Sequence, residues 1–341
     1  MSLSGDEDPA GDFPGAIETL CRGCQLCREG AKMVLFLNGR CDRTCWYCPI
    51  SRERKSSDIL FANDQECPDP VQIIAEAHRM SALGTGITGG EPLLQFDLLV
   101  TCCRLLKEKF GNDHHIHLYT GHAPTPEELV ALSGIVDELR FHPPHECWPD
   151  IMETEYIRSI RNAKELGFSV GIEVPALPGL ESLITTLPDL DFLNINELEW
   201  GDLNAGEMRS RGYELSDNVH NAVLGARDWA AEICLLDKVH WCSSRFKDAV
   251  QLRNRLIRIA ENTARSFDEI TDDGTVVYGI IEKGDNPIPL DSIDDGMYTD
   301  CGDHVDMAWW LLVEYADRLP GKKYVIERYP DGGMIVEVTP L

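Results

Sequence analysis

Gly39-Arg40-Cys41-Asp42-Arg43-Thr44-Cys45-Trp46-Tyr47-Cys48-Pro49 is the stretch on which the reading of this sequence turns. It carries three cysteines at the spacing C-x3-C-x2-C, with an aromatic residue before the last. A tight loop with that spacing can aim three thiolates at one face of a cubane iron–sulfur cluster, which ordinarily takes four. Three ligands from one loop leave one iron open to a ligand from outside the protein. A zinc loop, or three unrelated buried thiols, is the alternative, although zinc sites more often come as two C-x2-C pairs or as Cys with His. Just upstream, Met33-Val34-Leu35-Phe36-Leu37 is apolar without a break. Such a run fits a buried parallel strand. The cysteine loop then leaves the C-terminal end of a central strand, where α/β active sites sit.

Downstream of the loop, helices and strands alternate. Residues 70–83 carry Val71, Ile74, Ala75, Ala77 and Met80 at helical spacing, and Gly84 ends the pattern. Ile87-Thr88-Gly89-Gly90-Glu91-Pro92 then reads as a second strand ending in two glycines and an acid. Helices are expected at 96–110, 126–132, 155–166 and 181–187, and strands at 115–120, 136–142, 168–174 and 192–199. That makes six strands up to Glu199, a rhythm that suits βα units in a parallel sheet. Residues 201–218 read as a polar loop, 219–236 as a helix, and Val239-His240-Trp241-Cys242 as a seventh strand-like segment. After Ser244 a long helix is expected at 246–265. It carries Lys247, Arg253, Arg255, Arg258 and Arg265, read as a solvated face or as a contact to an acidic substrate group. A strand at 275–282, a helix at 304–318 and a hairpin around Pro330-Asp331-Gly332-Gly333 complete a smaller C-terminal α/β domain.

The cysteine loop and the Gly-Gly-Glu-Pro strand end together resemble the signature of the radical S-adenosylmethionine (SAM) superfamily, over residues 31–200. The resemblance implies a partial (β/α)6 TIM-like barrel, within residues 31–245, with its site at the C-terminal ends of the strands. It implies that Cys41, Cys45 and Cys48 hold a [4Fe–4S] cluster whose open iron is chelated by SAM. Gly89, Gly90 and Glu91 would then meet the SAM amino group, with the carboxylate accepting from the ammonium. By the same resemblance Tyr47 lies beside the adenine, and Thr120 and Glu173 lie near the ribose and the methionine carboxylate, although Glu173 would repel a carboxylate. The implied chemistry is reductive cleavage of SAM to a 5′-deoxyadenosyl radical, which abstracts hydrogen from an unknown substrate. That substrate is a small molecule, a peptide or RNA. Within the superfamily the chain resembles the activating enzymes of pyruvate formate-lyase and their archaeal-type relatives. An activase that installs a glycyl radical on a partner protein is therefore the alternative. A non-catalytic iron–sulfur electron carrier is a third reading, but it has no need of residues 89–92. A one-electron donor such as ferredoxin or flavodoxin is implied.

Upstream, within an extension at 1–30, Cys21-Arg22-Gly23-Cys24-Gln25-Leu26-Cys27 has the compact C-x2-C-x2-C spacing of ferredoxin-type loops. It points to a second [4Fe–4S] cluster, with zinc as the alternative. Cys242 is the candidate fourth ligand because it ends a strand-like segment and so should emerge on the catalytic face; water, substrate or His240 are its rivals. Cys67, Cys102, Cys103, Cys147, Cys234 and Cys301 show no ligand spacing and read as small core or surface residues. A net charge of -27 argues against an extended nucleic-acid surface. No run of about 18 apolar residues is present, so no membrane helix is expected. Residues 1–14 read as a disordered acidic lead-in without an apolar signal core, which makes a cytoplasmic protein the expectation. The C-terminal domain is expected to span 246–341.

Overall fold

The computed structural model describes residues 20–284, 288–291 and 293–341; the expected disordered lead-in lies outside them. The chain divides into two units, Met1–His78 with Ala82–Gln251 and Arg79–Ser81 with Leu252–Leu341.

The first unit is an α/β fold built on one sheet. Its strands are β1 (Lys32–Phe36), β2 (Phe61–Ala62), β3 (Gln65–Glu66), β4 (Gly84–Thr88), β5 (His115–Thr120), β6 (Glu138–Phe141), β7 (Ser169–Pro175), β8 (Phe192–Asn196) and β9 (Val239–Cys242). They lie in the order β3-β2-β1-β4-β5-β6-β7-β8-β9. β1 and β4 through β9 run parallel, each beside the next in sequence, while β2 and β3 add an antiparallel hairpin at one edge. A large parallel sheet of this kind fits a TIM-like barrel that is only partly closed. The six expected strands and the seventh segment are all present in the parallel set. The hairpin at 61–66 was not expected: two-residue strands carry no periodicity to read.

Helices precede or connect the strands up to β7: α1 (Arg22–Arg28), α2 (Gln72–Arg79), α3 (Phe96–Phe110), α4 (Pro126–Leu132) and α5 (Glu155–Glu165). α4 starts where its sequence says it should. Thr125 and Glu128 form a reciprocal capping box and Pro126 occupies the first turn, where its missing N–H costs nothing. The expected helix at 219–236 is replaced by a short helix Ala226–Ala230 and a 3-10 turn Ile233–Leu235. Gly225, at φ +84°, interrupts the expected helix, and Ala222 and Val223 before it form bridges to Glu199 and Leu215.

The second unit differs from the expected α/β alternation. Its strands β10 (Glu269–Ile270), β11 (Val276–Glu282), β12 (Tyr298–Asp300), β13 (His304–Met307), β14 (Lys322–Arg328) and β15 (Ile335–Pro340) pair only antiparallel, in the order β12-β13-β11-β14-β15 with β10 on β11. The hairpin expected around 330–333 joins β14 to β15. The helix expected at 304–318 is first a strand and only then a helix, Trp309–Glu314. His304, Val305, Asp306 and Met307 alternate polar and apolar, a period-2 signal that outweighs helix propensity. Leu312 of that helix packs over Gly279, where a Cβ would come within 2.7 Å of it. Ile281, Ile293, Met307, Leu312 and Leu319 form the core beneath. The long helix expected at 246–265 is instead a π-helical stretch Lys247–Leu252 followed by a helix Arg253–Thr263, and its basic residues are largely committed within the protein. Lys247 pairs with Glu199 at 2.7 Å, Arg253 donates to the Asp272 carbonyl, and Arg265 pairs with Asp268 and Asp306. Among the described residues no helix is long and apolar enough to cross a membrane.

Candidate active site

Strand geometry makes the site. Successive side chains on a strand point to opposite faces. In β5 through β9 the apolar alternates are Ile116, Leu118, Leu139, Phe141, Val170, Ile172, Val174, Leu193, Ile195 and Trp241, all buried. The other set is His117, Tyr119, Arg140, Glu173, Asn194, Asn196, His240 and Cys242, and it lines one cavity of about 690 Å³. Cys41, Cys45, Tyr47, Cys48, Gly89, Gly90 and Glu91 line the same cavity from the strand ends, and Cys24 and Cys27 line it from α1. The parallel sheet thus has an apolar outer face and a polar inner one.

At the C-terminal ends of β1 and β4, two loops are fastened main chain to main chain. Gly90 N donates to Asn38 O and Glu91 N to Arg40 O, each at 2.7 Å, while Gly39 exchanges hydrogen bonds with Ser57 and Ser56. A Cβ on Gly39 would collide with the Arg54 carbonyl, and one on Gly90 with the Arg40 carbonyl. Gly89 adopts φ +151° and sits against Asn38 O. The glycines are needed because the backbones touch. On this frame Cys41, Cys45 and Cys48 are half-buried. Arg43 N donates to Cys41 Sγ at 3.4 Å. Burial pushes the Cys41 and Cys45 thiols up, so a metal is what would hold them as thiolates.

Two expected contacts change. Glu91 is fully buried, and its carboxylate already accepts from Leu93 N, Thr120 Oγ1, Gly121 N and His122 N, at 3.0, 2.7, 2.7 and 3.1 Å. A carboxylate offers about four acceptor sites, so Glu91 has none left for an ammonium. Thr120 is equally buried and spends its hydroxyl on Glu91 instead of lining the cavity. Tyr47 does face the cavity; its hydroxyl meets His142 Nε2 at 3.1 Å, and His142 Nδ1 meets Tyr119 at 2.6 Å. Glu173 faces the cavity too. Burial would push its carboxyl up, but Arg140 Nη1 at 2.6 Å, Asn194 Nδ2 at 2.9 Å and Asn196 Nδ2 at 3.0 Å hold it at about 2. With Arg140 beside it, its charge is offset.

With Cys242 as fourth ligand, residues 21–27 could reach the catalytic face by folding across the barrel opening; instead α1 packs against the opposite ends of the strands, with Cys24 and Cys27 turned into the cavity. Leu26 Cδ1 packs against Gly84, the first residue of β4, and Gly23 N donates to Glu138, the first of β6. Lys32, the first of β1, donates to Gly23 O at 3.0 Å. Arg140 Nη2 donates to Cys21 Sγ at 3.3 Å and to Cys24 Sγ at 3.5 Å, and Asn194 Nδ2 donates to Cys24 Sγ at 3.3 Å. The Cys21 thiol is the main cause that draws the Cys24 thiol down to about 5, against burial, with Arg140 and Lys32 adding to it. Cys242, at the end of β9, lies on the cavity wall with Cys24 and Cys27, whereas Cys21 is off that wall. Neither cysteine triplet brings three donor atoms within 4.8 Å of one another; among the described residues only Cys301, His304 and Asp306 do. Tetrahedral zinc needs donors that close, whereas a cubane presents separate irons to its thiolates. A single ion at either triplet would require its side chains to draw together.

A family profile of the radical SAM superfamily matches residues 35–181. A protein of Methanocaldococcus jannaschii is 37% identical over 279 residues, which is 77% of this chain and 74% of its own. It carries a provisional name, glycyl-radical enzyme activating enzyme.

The chain belongs to the radical SAM superfamily.

It is an enzyme, and membership implies a [4Fe–4S] cluster, SAM, a reductant and a substrate. The donor set fits that cluster: three half-buried cysteines on one loop, facing one cavity. A family of unknown function, DUF8061, matches residues 274–341 of this radical SAM enzyme. Among solved structures, the radical SAM methyltransferase TsrM of Kitasatospora setae has a TM-score of 0.39 at 12% identity, covering 58% of this chain and 44% of its own. SuiB of Streptococcus suis bound to SAM has a TM-score of 0.40 at 11% identity, covering 64% and 53%. The chain thus spans about half of either structure, and likenesses this distant carry no weight for its function. Arg140, His142, Asn194, Asn196 and Lys32 escaped the sequence reading. For Arg140, Asn194 and Asn196 the available signal was the polar–apolar alternation within β6 and β8.

Proposed function

We propose that this radical SAM enzyme acts on a protein, abstracting hydrogen from a backbone glycine of a partner. The observation that carries the reading is the 37% identity, over most of both chains, to a protein provisionally named a glycyl-radical enzyme activating enzyme. The cavity supports it. At about 690 Å³ it lies within the ~300–1,000 Å³ that one small-molecule site takes. SAM and its cluster use most of that space, which leaves entry for a slender chain segment better than for a bulky substrate. In this reading the parallel strands form a partial (β/α)6 barrel of the TIM type, extended by one strand, preceded in sequence by the cysteine-rich N-terminus and followed by the C-terminal unit.

Cys41, Cys45 and Cys48 hold the cluster. When bound, it supplies the electron, drawn from a ferredoxin or flavodoxin, that cleaves SAM reductively. Gly89 and Gly90 offer SAM their main chain, Tyr47 lies beside the adenine, and Glu91 positions Thr120, Gly121 and His122. Glu173, its charge offset by Arg140, tolerates a carboxylate nearby. Cys21, Cys24, Cys27 and Cys242 hold a second cluster. Lys32, Arg140 and Asn194 support this assignment, because cations and N–H donors offset the charge of a thiolate set. An extract of the source organism labelled with glycine deuterated at Cα tests the substrate. Incubated anaerobically with holoenzyme, SAM and dithionite, its protein fraction should pass deuterium to 5′-deoxyadenosine. Undeuterated 5′-deoxyadenosine in the presence of the labelled protein, with its formation stimulated instead by an added small-molecule or RNA fraction, would place the activity in small-molecule or RNA modification.

A further inference from the structure

The turn between β12 and β13 and the start of β13 hold three metal-ligating side chains that the radical SAM chemistry does not use. Cys301 N donates to His304 O at 3.0 Å, and Gly302, at φ +96°, lets the chain reverse within Cys301, Gly302 and Asp303. The reversal brings Cys301 Sγ, an imidazole nitrogen of His304 and a carboxylate oxygen of Asp306 within 4.8 Å of one another.

The details favour a cation there. His304 Nδ1 lies 2.6 Å from Asp303 Oδ1. That bond places the ring proton on Nδ1 and leaves the Nε2 lone pair free, as an outer carboxylate does for a metal-bound histidine. His304 Nε2 then faces Asp306 Oδ1 at 3.3 Å. Asp306 is only 6% exposed, and Arg265 holds its other oxygen, while Oδ1 has no hydrogen-bond partner. A buried acceptor without a donor is costly, and here two acceptors face each other. Zinc–nitrogen and zinc–oxygen bonds of about 2.0–2.2 Å at a tetrahedral angle set their donors about 3.3–3.5 Å apart, the separation found between these two atoms.

We propose that Cys301, His304 and Asp306 bind one divalent transition-metal ion, zinc by the character of the donors. A thiolate, an imidazole and a carboxylate form a mixed set suited to zinc. Cys301 is exposed, so water completes the tetrahedron. The sequence carries the site as C-x2-H-x-D, a spacing that the reading of Cys301 as an isolated thiol misses.

The test uses full-length holoenzyme grown with zinc and dialysed, measured for iron and zinc per chain and by zinc K-edge absorption. About one zinc is expected, with one sulfur at about 2.3 Å and nitrogen or oxygen ligands at about 2.0 Å. Cys301→Ser in the turn and His304→Gln at the first residue of β13 should each lose the zinc at unchanged iron content. Three outcomes would overturn the proposal: no retained zinc in the wild type, zinc unaffected by either substitution, or a sulfur-only shell, which would put the ion at Cys21, Cys24 and Cys27.

Discussion

Cys41, Cys45 and Cys48 leave a strand end on a loop whose start is anchored main chain to main chain. Cys21, Cys24 and Cys27 ride a helix at the other end of the same strands, where side chains already hold Cys21 and Cys24. The spacings differ by a single residue, yet the environments are opposite. At the first triplet, hydrogen bonds from Gly39, Gly90 and Glu91 supply the shape, and the sulfurs are left for a metal. At the second, Arg140, Asn194 and Glu138 reach the helix or its sulfurs directly. Losing the first set of sulfurs should therefore cost chemistry alone, while disturbing the second should cost folding as well.

The largest effect is expected from replacing Cys41, Cys45 and Cys48 together by Ala. Formation of 5′-deoxyadenosine under anaerobic reduction should vanish, while the thermal midpoint stays near that of the wild type. Iron should fall from about eight per chain, the content of two cubanes, to about four. Retained turnover would remove the central assignment. Cys242→Ala, in contrast, should lower the iron without ending SAM binding at the first site; unchanged iron would exclude Cys242 as a ligand.

Next in size is Arg140→Met. Arg140 is buried between Glu138 and Glu173 and donates to two sulfurs. Removing one partner of such a network leaves uncompensated charge, at about 3–5 kcal/mol. Denaturant unfolding should report that loss. A change under about 1 kcal/mol would mean that the helix end of the comparison does not depend on its side chains.

The smallest expected effect separates two views of Glu91. Thr120→Val and Glu91→Gln each remove hydrogen bonds to or from a charged group, worth about 1.5–3 kcal/mol apiece. If Glu91 acts by positioning its neighbours, both should weaken SAM binding, and the pair should be non-additive by about 0.5–3 kcal/mol. A Thr120→Val variant with native SAM affinity, beside a weakened Glu91→Gln, would return Glu91 to direct contact with the ammonium.

Much of this was legible in the sequence, for physical reasons that also mark where reading stopped. Apolar runs such as Met33 to Leu37 announce strands because a sheet covered on both faces demands them. Thr125 and Glu128 announce a helix start because they satisfy its orphan N–H groups. The cysteine and glycine motifs sit at strand ends where their spacing put them. The polar interior was harder to see. His117, Arg140, Glu173 and Asn194 are single polar residues inside apolar strands, and a residue's partner on the neighbouring strand depends on register, which one sequence does not state. The placement of residues 21–27 failed for the same reason, since nothing local says which end of a sheet a preceding helix will cover. The antiparallel second unit was misread where residues 304–307 were counted as helix, although their alternation was in plain view.

The main-chain stitching of the two catalytic loops bears on how the enzyme meets oxygen. Iron–sulfur clusters are lost to oxidants, and a loop shaped by its metal would collapse when the metal left. Here Gly39, Gly90 and Glu91 anchor the start of the loop through main-chain hydrogen bonds that need no sulfur. A loop anchored in this way should outlast the loss of a cluster held there, so that iron, sulfide and reduced thiols would suffice to restore it.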